Sequence, residues 1–283
     1  MRLGGPVWYD KGDADAWVAA HRAWGYGAAV FPLKHDAAAD DIRRFRDAAD
    51  SAGLVIGEVG AWHNNPISPD EATRRAGIAG VQAQLALAEE VGARCCVNVS
   101  GSRAEGWAAP HPDNLTDDTF ALVVDSAREI IDAVNPTRTR YALEGMPWAF
   151  PDGPDTYLRL IEAIDRPGFG VHFDPVNFVS TVRRWADTGA LIRDSVRQLG
   201  PHMVSAHAKD ITLRSEALVQ LHEVRPGLGD LDYVTLLHEL NTLDADLPLI
   251  IEHLPGEAEY RAAADHIKGV AQAEGVTFRT ISG

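Results

Sequence analysis

"RYALEGMP", residues 140–147, is a short apolar run that finishes on a glutamate, with glycine and proline close behind it. A strand covered on both faces reads as an almost unbroken apolar run, and Gly145 and Pro147 punctuate its end. Glu144 is thereby placed at the exit of a buried strand. The pattern recurs in "FGVHFDPVN" (169–177), "MVSAHAKD" (203–210) and "LIIEHLPG" (249–256), where Asp174, His207 and Glu252 take the equivalent place.

Outward from these segments the chain keeps one rhythm. Strand-like runs occur at 1–4, 27–33, 54–60, 95–101, 139–145, 169–174, 203–208 and 247–253, and segments of helical periodicity alternate with them. The clearest helical segments are 68–93, with Ser68 as N-cap, Pro69 at the first helical position and Gly92 as stop; 116–135, capped by Thr116; and 258–275, closing on a glycine. Eight strand–helix units in 283 residues predict an α/β fold, a single (β/α)8 TIM barrel with one domain over 1–283. A doubly wound open sheet is the rival. It usually carries a glycine-rich phosphate loop after its first strand, and the loop "VSGSRAEG" at 99–106 lacks that spacing at a helix start.

Composition removes other classes. Hydrophobic residues make up 46% and charged residues 24%, as in an ordinary globular chain. A formal charge of −15 would repel a phosphate backbone, so nucleic acid is not an expected partner. No apolar run reaches the length of a membrane span and "MRLGGPVWYD" has no signal core, so no membrane association and a cytoplasmic location are expected. Adjacent Cys95 and Cys96 would point to opposite faces of a strand, and free buried thiols are the expected state.

In a TIM barrel the C-terminal strand ends line the face where chemistry is done. Glu144, Asp174, His207 and Glu252 form a hard oxygen and nitrogen set suited to a divalent metal: Mn²⁺ first, with Mg²⁺, Co²⁺ or Zn²⁺ as alternatives. Each residue alone has an ordinary reading as a helix cap, surface carboxylate or core histidine. Four at one level favour a shared cation, because it removes the repulsion between the carboxylates.

The segments "ALEG", "HFDPVN", "HAKD" and "IIEH", in this order on successive strands, resemble the sugar-phosphate isomerase/epimerase superfamily with its xylose isomerase-like barrel. That superfamily takes in ketose 3-epimerases, hydroxypyruvate isomerases, inosose dehydratases and, more distantly, endonuclease IV-type repair enzymes. The resemblance spans nearly the whole chain and implies that Glu144, Asp174, His207 and Glu252 are the metal ligands. The nuclease branch gathers three zinc ions with extra histidines, including one three residues after the strand-six aspartate. Here that position is Asn177, strand four ends in "NVSG", and the seventh loop reads "QLHEVRPGLGD". Ketose epimerases also tend to carry histidine where Asn177 stands, so this chain departs from that branch too.

One metal and two carboxylates suit proton abstraction next to a carbonyl, through an enediolate stabilised by the ion. Glu144 and Glu252 would face each other across the barrel as base and acid. The expected activity is isomerisation or epimerisation of a small keto or hydroxy sugar. The alternative is a metal-dependent lyase acting on a keto-sugar, as inosose dehydratases and 3-keto-glycoside deglycosidases do. A third reading is a barrel that binds sugar or metal without turnover, against which two oppositely placed glutamates argue.

Substrate contacts are expected from Lys209 for an enolate oxygen, Arg225 for an oxygen or carboxylate, and Asn177 for a hydroxyl, with His222 nearby in the same loop as Arg225. Glu58, Trp62 and His63 of "GEVGAWHNNP" would reach the mouth from the opposite wall, with Trp62 as an apolar platform. Trp148 and Phe150 invite the same reading. His172 would lie one layer deeper as a hydrogen-bonded support, and Asp210 would support a ligand or cap a helix. A tryptophan-rich rim would also suit a homo-oligomer interface.

Overall fold

The computed structural model describes residues 1–281, and in it the closed barrel rather than the open sheet is formed. Its strands are β1 (Arg2–Gly4), β2 (Ala28–Val30), β3 (Val55–Gly60), β4 (Cys95–Asn98), β5 (Arg140–Glu144), β6 (Phe169–Phe173) and β7 (Met203–Ala208). A hairpin follows, β8 (Asp210–Leu213) and β9 (Leu221–Val224), before the last barrel strand, β10 (Pro248–Ile251). Closure is set by β1, which pairs in parallel with β2 on one side and β10 on the other. All eight predicted strand regions are found.

Helices cover the outer face, and their ends follow local chemistry. Thr116 caps the helix Asp117–Val134 through a bond from the Thr119 amide, as the sequence suggests. Helix Glu71–Val91 begins later than predicted. Its cap is Asp70, whose carboxylate accepts from the Thr73 amide, while the Ser68 hydroxyl accepts from the Asp70 amide. An ionised cap also complements the positive end of the helix, which favours Asp70 over a hydroxyl. Gly92 ends this helix at φ 69°, a conformation that costs glycine little.

Two layers of apolar packing result from strand alternation. Cys96 belongs to the large layer between strands and helices, with Trp17, Phe45, Leu85 and Ile130. Cys95 points the other way and packs inside the barrel with Val97, Ala142 and Val204 under the Trp62 indole. Both thiols are free and buried, as expected. Each large side chain sealed in the outer layer contributes about 1.5–3 kcal/mol.

The hairpin has no counterpart among the elements predicted from the sequence. Its strands are four residues each, paired from Asp210 opposite Val224 to Leu213 opposite Leu221, and such a ribbon is marginal alone. It is held at its base by Asp210. One carboxylate oxygen accepts from the amides of Gly227 at 2.9 Å and Gly229 at 3.0 Å, the other from Ile211 at 2.8 Å and Leu231 at 3.0 Å. Asp210 is therefore a loop anchor rather than a helix cap. A side chain at Gly229 would run into that carboxylate, so the close approach requires glycine.

Candidate metal centre

Four consecutive barrel strands bring the predicted quartet together. Glu144 is the last residue of β5, Asp174 follows β6, His207 is next to last in β7, and Glu252 follows β10. One ligand atom from each lies within 4.8 Å of the other three. His207 Nδ1 is 2.7 Å from Glu252 Oε1, 3.4 Å from Glu144 Oε1 and 3.9 Å from Asp174 Oδ2. Asp174 is oriented by capping the short helix Pro175–Phe178, its Oδ1 accepting from the amides of Val176 and Asn177. Its Oδ2 is left facing the quartet. Because β5, β6, β7 and β10 are neighbours, the quartet occupies one arc of the rim. Glu144 and Glu252 thus stand at the two ends of that arc rather than across the barrel.

Lys209 enters the same space. Its Nζ is 2.6 Å from Glu252 Oε1, 2.8 Å from Asp174 Oδ2 and 3.3 Å from Glu144 Oε1, and the residue is 1% exposed. Burial disfavours the ammonium, but Asp174, Glu144 and Glu252 outweigh it and hold the Lys209 pKa well above its ordinary value. Burial likewise disfavours a charged His207, and Glu252, Glu58 and Glu144 again prevail, raising its pKa well above 6.5. Glu144 is pushed up by burial but driven down overall, well below 4.5, by Lys209 and His207. Glu252 is lowered in the same way, chiefly by His207, whereas burial keeps Asp174 raised.

The donor set fits a divalent cation. Three carboxylates against one ammonium leave a net charge of −2 when His207 is neutral, which a divalent ion would cancel. Asp174 Oδ2, His207 Nδ1 and Glu252 Oε1 are buried and make no hydrogen bond, although charged groups stand close. Their nearest partners are the ion-pair contacts with one another and with Lys209 at 2.6–2.8 Å, and all three point to one place. The second group of His and carboxylate side chains among the described residues, Glu58, His172 and His207, lies beneath it.

The remaining predicted residues divide. Asn177 donates to Glu144 Oε1 at 3.1 Å, and Trp62 Nε1 donates to Glu144 Oε2 at 3.4 Å, so both border the quartet. Gly60 leaves space for the Trp62 indole to fold back. His63 is exposed and packs its ring 4.8 Å from Trp107. Trp148 is half-buried, and Phe150 is buried against Phe120. Arg225 is tied to Glu259 at 2.9 Å, and His222 is 3.3 Å from Gln220; neither touches the quartet in a hydrogen bond or ion pair.

Glu58 differs from its expected place at the mouth. It lies two residues before the end of β3 and is 0% exposed, one layer below the rim, where it meets His172 and Ser205. His172 is the hydrogen-bonded interior histidine that alternation predicts. Ser205 carries no signal of its own in the sequence, yet it shares a strand face with His207, two residues away, and that spacing is the available clue. Among the seven tryptophans Trp8 is exposed at 45%; the others are buried or half-buried, so no exposed tryptophan rim surrounds the mouth. A separate cavity of about 1110 Å³ opens at the other end of the barrel, beside Arg94, Arg140 and Asp244, and includes none of the quartet.

Comparison with known proteins agrees with this architecture. The family described as xylose isomerase-like TIM barrel matches residues 18–270. No curated protein matches the sequence. Among solved structures, a xylose isomerase-like TIM barrel protein from Mycobacterium smegmatis, in complex with magnesium, superposes with a TM-score of 0.66 at 17% identity, covering 93% of this chain and 89% of that one. Endonuclease IV from Thermus thermophilus gives 0.74 at 15% identity, over 96% and 100% of the two chains. A 3-keto-D-glucoside 4-epimerase from E. coli gives 0.68 at 14% identity, over 96% and 99%. At these identities the likeness is one of fold.

Proposed function

Since the chain belongs to the xylose isomerase-like TIM barrel family, we propose that it is a divalent-metal-dependent isomerase or epimerase of a small keto or hydroxy sugar. The observation that carries this reading is the pair of glutamates, Glu144 and Glu252, at the two ends of one arc, with Asp174 and His207 between them and all four aimed at one place. A bound divalent cation, Mn²⁺ foremost, would polarise a substrate carbonyl and its neighbouring hydroxyl and so acidify the C–H between them.

The chain's own side chains do the rest. Glu144 is held as a carboxylate by Lys209 and His207, the form that can accept a proton, and Glu252 at the other end of the arc can return the proton to a different face or carbon. Lys209, poised among the carboxylates, is placed to steady negative charge on an enolate oxygen. Asn177 and Trp62 fix the Glu144 carboxylate and line the approach to it. His63 stands beside Trp107 at the outer edge, where a sugar face can rest. Arg225 and His222 belong to the hairpin side of the mouth and act in substrate contact only when released from their present partners. The enzyme would work without nucleic acid or membrane, in the cytoplasm.

The half-buried Trp62, Trp107 and Trp148 would also accommodate a glycoside larger than a free sugar, which supports elimination from a keto-sugar as a second reading. Incubation in D₂O with Mn²⁺ and ketoses, inososes or 3-keto-glycosides separates the two. Solvent deuterium in an isomerised product supports the first, and release of a fragment supports the second. Glu144→Gln and Glu252→Gln are each expected to slow exchange by about 10²–10⁴-fold. Wild-type exchange in either variant removes that residue from its role, and no exchange with any substrate leaves a binding protein for those compounds.

A further inference from the structure

Beneath the quartet, Glu58 receives three donors on two oxygens. Oε1 is 3.0 Å from His172 Nε2 and 2.5 Å from Ser205 Oγ, and Oε2 is 3.3 Å from His207 Nε2. Glu58, His172 and Ser205 are each 0% exposed, so none of these contacts is shared with solvent. The two imidazoles stand edge to face with centroids 4.0 Å apart.

An ionised carboxylate only accepts, so every group facing Glu58 must bring a proton to it. For His207 this places a proton on Nε2. When a cation displaces the ring's second proton, the neutral ring carries its lone pair on Nδ1, the atom that looks toward Glu144, Asp174 and Glu252. A lone pair among three carboxylate edges is repelled by each, and a cation is the partner that satisfies all four.

We infer that Glu58 is a positioning residue: its carboxylate holds His207 as the Nε2–H tautomer and so presents Nδ1 to a divalent cation. The inference rests on the proposed metal role of the quartet. Carboxylate–histidine–metal chains of this kind typically change affinity by about 10–100-fold when the outer carboxylate is altered. Ser205 and His172 share the remaining oxygen and keep Glu58 from rotating.

Glu58→Gln is the test. The position of Oε1 faces two donors and that of Oε2 one, so the amide oxygen will take the first and its NH₂ the second. The NH₂ then donates to His207 Nε2, forcing the ring proton onto Nδ1, away from metal binding. Mn²⁺ titrated calorimetrically into metal-stripped full-length protein is expected to bind Glu58→Gln about 10–100-fold more weakly than wild type. Ser205→Ala, which leaves the carboxylate on His207, is expected to stay within a few-fold. In ¹⁵N spectra of the Mg²⁺-loaded wild type, the His207 proton is expected on Nε2. Equal affinities of wild type and Glu58→Gln, or a proton on Nδ1 in the loaded wild type, overturn the inference alone. Failure of wild type to bind Mn²⁺ overturns it together with the proposed function. Should Glu58→Gln not fold, Glu58→Asp, which draws the carboxylate back from Nε2, decides by the same titration.

Discussion

His21 and His207 are each 1% exposed, yet they sit in two unlike interiors. His21, on the helix Ala14–Trp24, is packed edge-on against Trp17 and donates Nδ1–H to the Trp17 carbonyl at 2.8 Å. Burial is the dominant influence there, and it pushes the imidazole down to about 4. His207 faces Glu252, Glu58 and Glu144 and is held charged despite the same burial. Depth alone therefore does not decide the state of a buried histidine; the sign of the nearest charges does. The helix–strand layer is a neutral interior, whereas the rim well is an ionic one that is stable only with its countercharges in place.

The strongest challenge to this contrast is to delete a countercharge. Lys209→Met leaves three buried carboxylates with one fewer cation among them, and breaking such a set is expected to cost about 3–5 kcal/mol in urea unfolding of the metal-free protein. Saturating Mn²⁺ is expected to stabilise this variant more than wild type. A metal-free variant as stable as wild type would mean that the well needs no countercharge.

Next in size is the neutral interior's response to acid. The unfolded chain protonates His21 below its ordinary value of 6.5, but the folded chain resists until about 4. Its contribution is thus complete above pH 6.5 and lost as the pH falls toward 4, about 3 kcal/mol in all. His207 in the metal-free well has the opposite sign, with a contribution present below pH 6.5 and lost as the pH rises through its elevated folded value. His21→Gln keeps a donor for the Trp17 carbonyl but cannot titrate, so its stability gap from wild type should shift by about 3 kcal/mol between pH 7 and pH 4. Parallel pH profiles for the two proteins would show that His21 is not held neutral.

The smallest effect belongs to the exposed helix ends. Asp70→Ala is expected to lower stability by about 1 kcal/mol, and Ser68→Ala by less, because the Asp70 carboxylate caps the helix amide. The reverse order would restore Ser68 as the cap.

These differences also mark what a linear chain discloses. Strand ends carrying Glu144, Asp174, His207 and Glu252 are legible because a charged residue closing a buried apolar run is costly unless a countercharge or a cation meets it. Glu58 is expected one layer too high because the run "VIGEVG" continues past it, and neighbouring charge does not reveal depth. The ion pair of Arg225 with Glu259 joins residues 34 apart, a separation that no local pattern encodes. The hairpin escapes a linear reading because its two strands are as short as many turns, and the carboxylate at its first residue, Asp210, is satisfied by amides 17 to 21 residues further along the chain.

That last carboxylate has a wider consequence. Asp210 pins both the root of the ribbon and the bend that follows it, so the tip between Arg214 and Gln220 hangs from a fixed clasp, with Leu218 76% and Val219 63% exposed. Replacement, lengthening or shortening of the tip is expected to leave the clasp, and with it His207 and Glu252 at the ends of β7 and β10, where they are. The chain thus carries an overhang whose composition can change while the well below keeps its shape.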